Sequence, residues 1–155
     1  MSHTGSVLRV MSGVLAFSAA LAAAAPGAER HPQQDVVASS HSRSVQATLG
    51  SHCTPTQDGM VCADHRYPLR TKVRLPIHPG GRIVLQLRAR PTEIDAQLRD
   101  RRSRSVYELR TKGSGMRRTI RLPRELPPGS DRLGFFVGYE RGSADFEVDL
   151  KRHRH

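Results

Sequence analysis

The chain contains no tryptophan, and aromatic residues make up only 5% of it. That scarcity weighs against two binding classes. Sugar-binding modules stack pyranose rings on exposed Trp or Tyr, and single-strand binders stack bases on aromatics. Lysine is almost absent, occurring only at 72, 112 and 151. The rest of the positive charge is arginine, and the balance is strongly basic, +11 over 155 residues. No Gly-x-Ser-x-Gly passage exists to seat a hydrolase serine. No segment after residue 28 shows a helical hydrophobic period. The glycine pair Gly80-Gly81 precedes no helix, so it reads as a turn rather than a phosphate cradle.

The longest apolar stretch lies near the start. Residues 1–9 are polar and end in Arg9; residues 10–25 are apolar apart from Ser12, Gly13 and Ser18. Small residues and Pro26-Gly27 follow. This three-part pattern predicts a secretory signal peptide over 1–28, cut between Ala24 and Ala28. The apolar run is shorter than the roughly 18–20 residues of a spanning helix, and no basic stop-transfer cluster follows. The expectation is a secreted or periplasmic protein with no membrane span after cleavage. Residues 29–49 are rich in Ser and Gln and poor in apolar side chains, with a weak hint of order at 45–49. They read as a flexible leader, because such a composition buries too little surface to offset its ordering entropy.

The only two cysteines, Cys53 and Cys62, fall in the passage 50–64. In an exported chain two cysteines are expected to pair. A loop of this length stabilises by about 2.5–3 kcal/mol in the chain-entropy account. Asp58-Gly59 is a hairpin signal. A two-residue turn there would set Cys53 against Asp64, so the spacing predicts a wider or irregular loop. The alternative for this passage is a metal. His52, Met60 and His65 are soft ligands beside the cysteines, as a copper site would need, provided the thiols stay reduced. A hydrolase with an unfamiliar site would have to draw on His65, Asp64 or Asp58, and Ser51.

The passage Gly50-Ser51-x-Cys53, then Val61-Cys62-Ala63-Asp64 and Tyr67-Pro68-Leu69, resembles the domain start of a group of small secreted bacterial proteins of uncharacterised function. The resemblance covers residues 50–150. It implies an exported, disulfide-bearing β domain and carries no catalytic residues across.

From Leu69 onward apolar and polar residues alternate. Leu69, Thr71, Val73, Leu75 and Ile77 share one face. Ile83, Leu85, Leu87 and Ala89 form a second run; Ile94, Ala96 and Leu98 a third; Tyr107 and Leu109 a fourth. Met116, Ile120 and Leu122 follow, with Arg118 out of place on the same face. Leu133 to Tyr139 and Phe146 to Leu150 complete about seven strands. Turn signals separate them, and residues 123–131, with three prolines and a glycine, make a long crossing. The pattern predicts an all-β, antiparallel, immunoglobulin-like β-sandwich over residues 50–151, with 152–155 as a basic tail. A small closed barrel would alternate in the same way.

Outward-pointing cations are the remaining signal. Arg70, Lys72 and Arg74 line one predicted strand and Arg88 and Arg90 the next. Paired, these strands would show a polyanion-binding face; the bland alternative is solvated charge that guards sheet edges. The function expected is non-enzymatic binding at the cell envelope, with an anionic envelope polymer or another envelope protein as partner. No cofactor and no specific nucleic acid are expected.

Overall fold

The computed structural model describes residues 31–41, 43–71 and 73–152. The predicted export segment 1–28, Lys72 and residues 153–155 lie outside these. A short 3-10 turn, Pro32–Gln34, leads into twelve strands. They are β1 (Val36–Ser40), β2 (Arg43–Gln46), β3 (Thr48–Thr56), β4 (Gly59–Ala63), β5 (Arg74–Ile77) and β6 (Arg82–Leu87). The second half adds β7 (Glu93–Arg99), β8 (Ser105–Leu109), β9 (Thr111–Lys112), β10 (Arg117–Arg121), β11 (Arg132–Gly138) and β12 (Ser143–Arg152). Among the described residues these form two sheets. One has five strands in the order β2-β1-β6-β10-β9; the other has seven, β4-β3-β12-β11-β7-β8, with β5 alongside β12. All pairs are antiparallel except β5 with β12.

The core lies between the sheets. Period-2 alternation sends Ile83, Leu85 and Leu87 inward from β6, and Leu133, Phe135 and Val137 inward from β11, all essentially without exposed surface. Phe135 and Phe146 are directly paired across β11 and β12, with ring centroids 5.2 Å apart. Each such side chain contributes about 1.5–3 kcal/mol on burial. The proline-rich segment 122–131 carries the chain from the five-stranded to the seven-stranded sheet.

Three sequence expectations need correction. The segment 29–49, expected as a flexible leader, is built into the sandwich from Pro32 on. Val36, Ala38, Val45 and Ala47 are buried, and β1 pairs with both β2 and β6. The 3-10 turn is tied down too: the Tyr139 hydroxyl donates to Gln33 O (3.1 Å), and the Gln34 amide donates to Thr54 (3.0 Å). The predicted strand over 69–77 shrinks to β5. The Leu69 N–H donates to Glu147 (3.0 Å) and its carbonyl accepts from Arg132 (2.7 Å), so side chains use the groups a strand would need. Val73 is exposed as a result. Finally, Arg152, placed in the tail, belongs to β12 and pairs with Ile77.

Arg118 resolves its misfit at the end of β10. Its backbone stands opposite Leu85, but its guanidinium turns back to donate to Gly115 O at 2.5 Å.

Candidate functional site

The outer face of the five-stranded sheet concentrates positive charge. Because Ile83, Leu85 and Ile120 point inward, their neighbours Arg82, Val84, Gln86, Arg117, Thr119 and Arg121 point outward. Arg82 stands opposite Arg121, Val84 opposite Thr119 and Gln86 opposite Arg117. Lys112 on β9 lies beside Thr119. On the other side β1 contributes Val37 and Ser39, which pair with Gln86 and Val84. Ser39 and Ser44 share a 2.8 Å hydrogen bond. None of these outward positions holds a carboxylate or an aromatic ring. Beside the face, Asp35 is engaged by Arg88 (2.6 Å) and by the Gln46 amide.

A shallow cleft of about 700 Å³ lies on this face, with Arg82 and Arg117 among its walls and Val37, Ser39 and Val84 in its lining. His41 and the turn Gly80-Gly81 complete it. The turn is formed by Gly81 N–H donating to His78 O (3.1 Å), with Gly80 at φ +69°, where glycine avoids a steric penalty. The His41 and His78 rings meet at 3.9 Å. A second cleft, about 710 Å³, opens at the side of the sandwich between β8 and β10. Arg82 lines it as well, joined by Arg121, Arg110, Lys112, the carboxylate-bearing Glu108 and the half-exposed ring of Tyr107.

The cationic face read from the sequence is not the one that forms. It required the strand of Arg70, Lys72 and Arg74 to pair with that of Arg88 and Arg90. β5 pairs with β12 and β6 with β1 and β10, so the two groups belong to different sheets. Arg70 lies in the crossover before β5, Arg74 stands opposite Asp149, Arg88 is bound to Asp35 and Arg90 follows the end of β6. Lys72 lies outside the described residues. The cluster of Arg82, Arg117, Arg121 and Lys112 was missed because its members come from three segments whose neighbourhood only the strand order reveals.

The outer face of the seven-stranded sheet mixes charges of both signs. Glu147 is fully buried there. It accepts from Arg99 (3.1 Å), from Arg132 (2.9 Å) and from the Leu69 N–H. Arg132 also contacts Asp149 at 3.3 Å, and the Arg99 guanidinium lies 5.5 Å from the centre of the Tyr67 ring. These contacts fasten the crossover between β4 and β5 over the sheet. Toward the other end Asp95, Glu108 and Asp145 gather around Phe136 in a cleft of about 440 Å³. Burial pushes the Asp145 carboxyl above the ordinary aspartate range; Arg99 pulls it back and Glu147 pushes it up further. Burial and the nearby Asp145 raise the Tyr67 phenol in the same way.

The cysteine passage is a regular hairpin. Cys53 stands directly opposite Cys62 and the two are bonded. The expectation of a wide or irregular loop is corrected: the chain turns at Gln57-Asp58, one residue earlier than the Asp58-Gly59 signal, with Thr56 opposite Gly59. That one-residue shift brings the cysteines face to face. Gly59, at φ +140°, absorbs the unusual backbone just past the turn.

The residues proposed for copper are only partly assembled. The His52 and His65 rings are 6.1 Å apart, while Met60 pairs with Pro55, three residue pairs farther along the hairpin, or about 10 Å. The thiols that would join them are consumed in the disulfide. Among the described residues no group of three or more His, Cys, Asp or Glu is placed to hold a metal ion. Ser51 does meet His65, but through the His65 main-chain N–H, which donates to Ser51 Oγ at 3.0 Å. That bond orients the loop and does not place an imidazole on the hydroxyl.

No known protein family, curated protein or solved structure matches this chain.

Proposed function

We propose that the protein is an exported, non-enzymatic immunoglobulin-like module that binds an anionic polymer of the cell envelope through the outer face of its five-stranded sheet. One observation carries this reading: the outer face of the five-stranded sheet is one-signed. Arg82, Arg117, Arg121 and Lys112 gather there without a carboxylate, while Asp95, Glu108, Asp145, Glu147 and Asp149 lie on the other outer face, where Arg99 and Arg132 pair with Glu147 and Asp149. A basic composition alone speaks only to loose association. A one-signed face beside a cleft concentrates the field where a polymer could lie along it. The immunoglobulin-like reading is supported by the strand order. β1-β6-β10-β9 corresponds to the A-B-E-D sheet, and β12-β11-β7-β8, with β5 parallel to β12, to the G-F-C-C′ sheet. Export is supported by the disulfide, which suits an oxidising compartment, together with the predicted signal peptide.

The test is retention of the purified protein on immobilised heparin, used as a generic polyanion. The double variant Arg82→Glu/Arg121→Glu should elute at clearly lower salt. By the counterion-release relation, each lost contact reduces the slope of log affinity against log salt by about 0.7–0.9. Arg66→Glu, an exposed charge in the crossover over the opposite sheet, serves as the control. Equal elution of the double variant and the control would sink the proposal.

A further inference from the structure

The two clefts share Arg82, so the cationic surface does not end at the rim of the sheet. It turns the corner at the Arg82–Arg121 pair and continues into the open side of the sandwich, past Lys112 and Arg110 to Tyr107, with Glu108 as the one carboxylate in that cleft's wall. Building on the anionic-polymer reading, we propose that the ligand is an acidic polysaccharide, and that it follows this bent track with one sugar ring resting on Tyr107.

Charge spacing is the first argument. Arg117 and Arg121 lie four residues apart on β10, about 13 Å at the rise of a strand. Between these ends the floor holds Val84, Thr119 and Ser39, with Lys112 as the single flanking cation. A nucleic-acid strand carries a phosphate on every nucleotide. Laid on this floor it would set phosphate over the Val84 methyls and the hydroxyls, losing hydration with Lys112 as its one countercharge there. A polysaccharide with one charge per repeat places its acidic groups at the ends and its hydroxyls over the middle. There the Thr119 and Ser39 hydroxyls and the Gln86 amide can both donate and accept.

The aromatic inventory is the second argument. A single-strand binder stacks successive bases on successive rings. The second cleft has one ring, Tyr107, 45% exposed on edge strand β8, with Arg110 and Glu108 in the same cleft, and the first has the His41 imidazole, already packed against His78. One ring beside a cation suits one sugar unit bearing a nearby acid. It also accounts for a glycan binder with so few aromatics: charge holds the polymer and stacking acts at one place.

The experiment compares four probes on the full-length protein at fixed salt and matched anionic-group concentration. They are hyaluronate (one carboxylate per disaccharide), keratan sulfate (about one sulfate per disaccharide), inorganic polyphosphate and oligodeoxythymidine. At least one of the two polysaccharides should bind about tenfold tighter than polyphosphate and oligodeoxythymidine, and the tighter one identifies the acidic group as carboxylate or sulfate. Tyr107→Ala should weaken polysaccharide binding about five- to tenfold, leave polyphosphate binding unchanged, and be rescued by Tyr107→Phe. Thermal unfolding of each variant checks that the fold is kept. Equal affinity for all four probes, lost on Arg82→Glu/Arg121→Glu, would overturn this inference while keeping the anionic-polymer reading. So would a Tyr107→Ala effect that is absent or the same for every probe. Binding to none of the four would overturn both.

Discussion

Arg99 reaches the fully buried Glu147 by lying across the backbone of Gly134, on the outer side of the seven-stranded sheet. The carboxylate and guanidinium are 3.1 Å apart, and a Cβ on Gly134 would overlap the guanidinium. Glycine is therefore required there for close approach rather than for a turn. Glu147 has three donors, so its charge is matched as well as buried. Removing the carboxylate takes the ion partner from the Arg99 guanidinium, leaves Arg132 with Asp149 and the Leu69 carbonyl, and frees the Leu69 N–H. Glu147→Ala should destabilise by about 3–5 kcal/mol, the range for breaking one side of a buried pair. Urea unfolding followed by circular dichroism measures it. A loss under about 1 kcal/mol would mean that water replaces the carboxylate without difficulty.

Asp145 sits next to this cluster and behaves differently. Its folded pKa is raised, chiefly by burial, so between the ordinary aspartate pKa and its folded value the native state binds more protons than the unfolded chain. Stability from this group is thus fully present below the ordinary value and lost as pH rises through the folded one. Asp145→Asn removes the charge without changing the shape. The variant should melt higher than the wild type at pH 7, and the difference should fade below pH about 4, near the unfolded aspartate value. A gap that stays constant with pH would show that the ionised carboxylate carries no penalty.

The disulfide clamps a hairpin whose outer strand, β4, lies at the edge of the sheet and exposes Met60 and Val61. Hydrophobic packing on that strand is slight, so the bond carries much of its anchorage. Cys53→Ser/Cys62→Ser should cost about 2.5–3 kcal/mol by the chain-entropy account. Hydrogen exchange should show the loss concentrated in residues 59–63. Uniform loosening of all strands would contradict a local clamp.

How much of this was legible depended on where burial came from. The alternation of Leu85 with Gln86, or of Phe146, Val148 and Leu150 with Glu147 and Asp149, is strong enough to announce two-sheet packing by itself. Cys53 and Cys62 also announced their bond, yet the turn beside them was read one residue late, because Asp58-Gly59 is the better local signal and cross-strand pairing overrides it. Arg82 and Arg121 illustrate the limit. They are thirty-nine positions apart in sequence, and their pairing follows from β6 and β10 being neighbours, which alternation does not specify. Arg99 and Glu147 looked like ordinary outward charges. They are buried because the crossover through Tyr67 and Leu69 lies over them.

The segment 31–49 gives the sharpest test of the difference between composition and context. Its serines and glutamines suggest a chain that cannot order itself. Once Leu85 and Leu87 of β6 present an open edge, β1 needs only Val36 and Ala38 to dock, and β2 only Val45. Val36 and Val45 each contribute about 1.5–3 kcal/mol on burial. Set against a net stability of about 5–15 kcal/mol for a whole domain, that share is large. A chain beginning at residue 50, the boundary that composition suggests, should therefore lose cooperative thermal unfolding, while one beginning at residue 31 should keep it. Melting curves of the two fragments decide the matter. If the shorter one melts as sharply and as high as the longer, then β1 and β2 are passengers on the sheet, and β6 must find other cover for its edge.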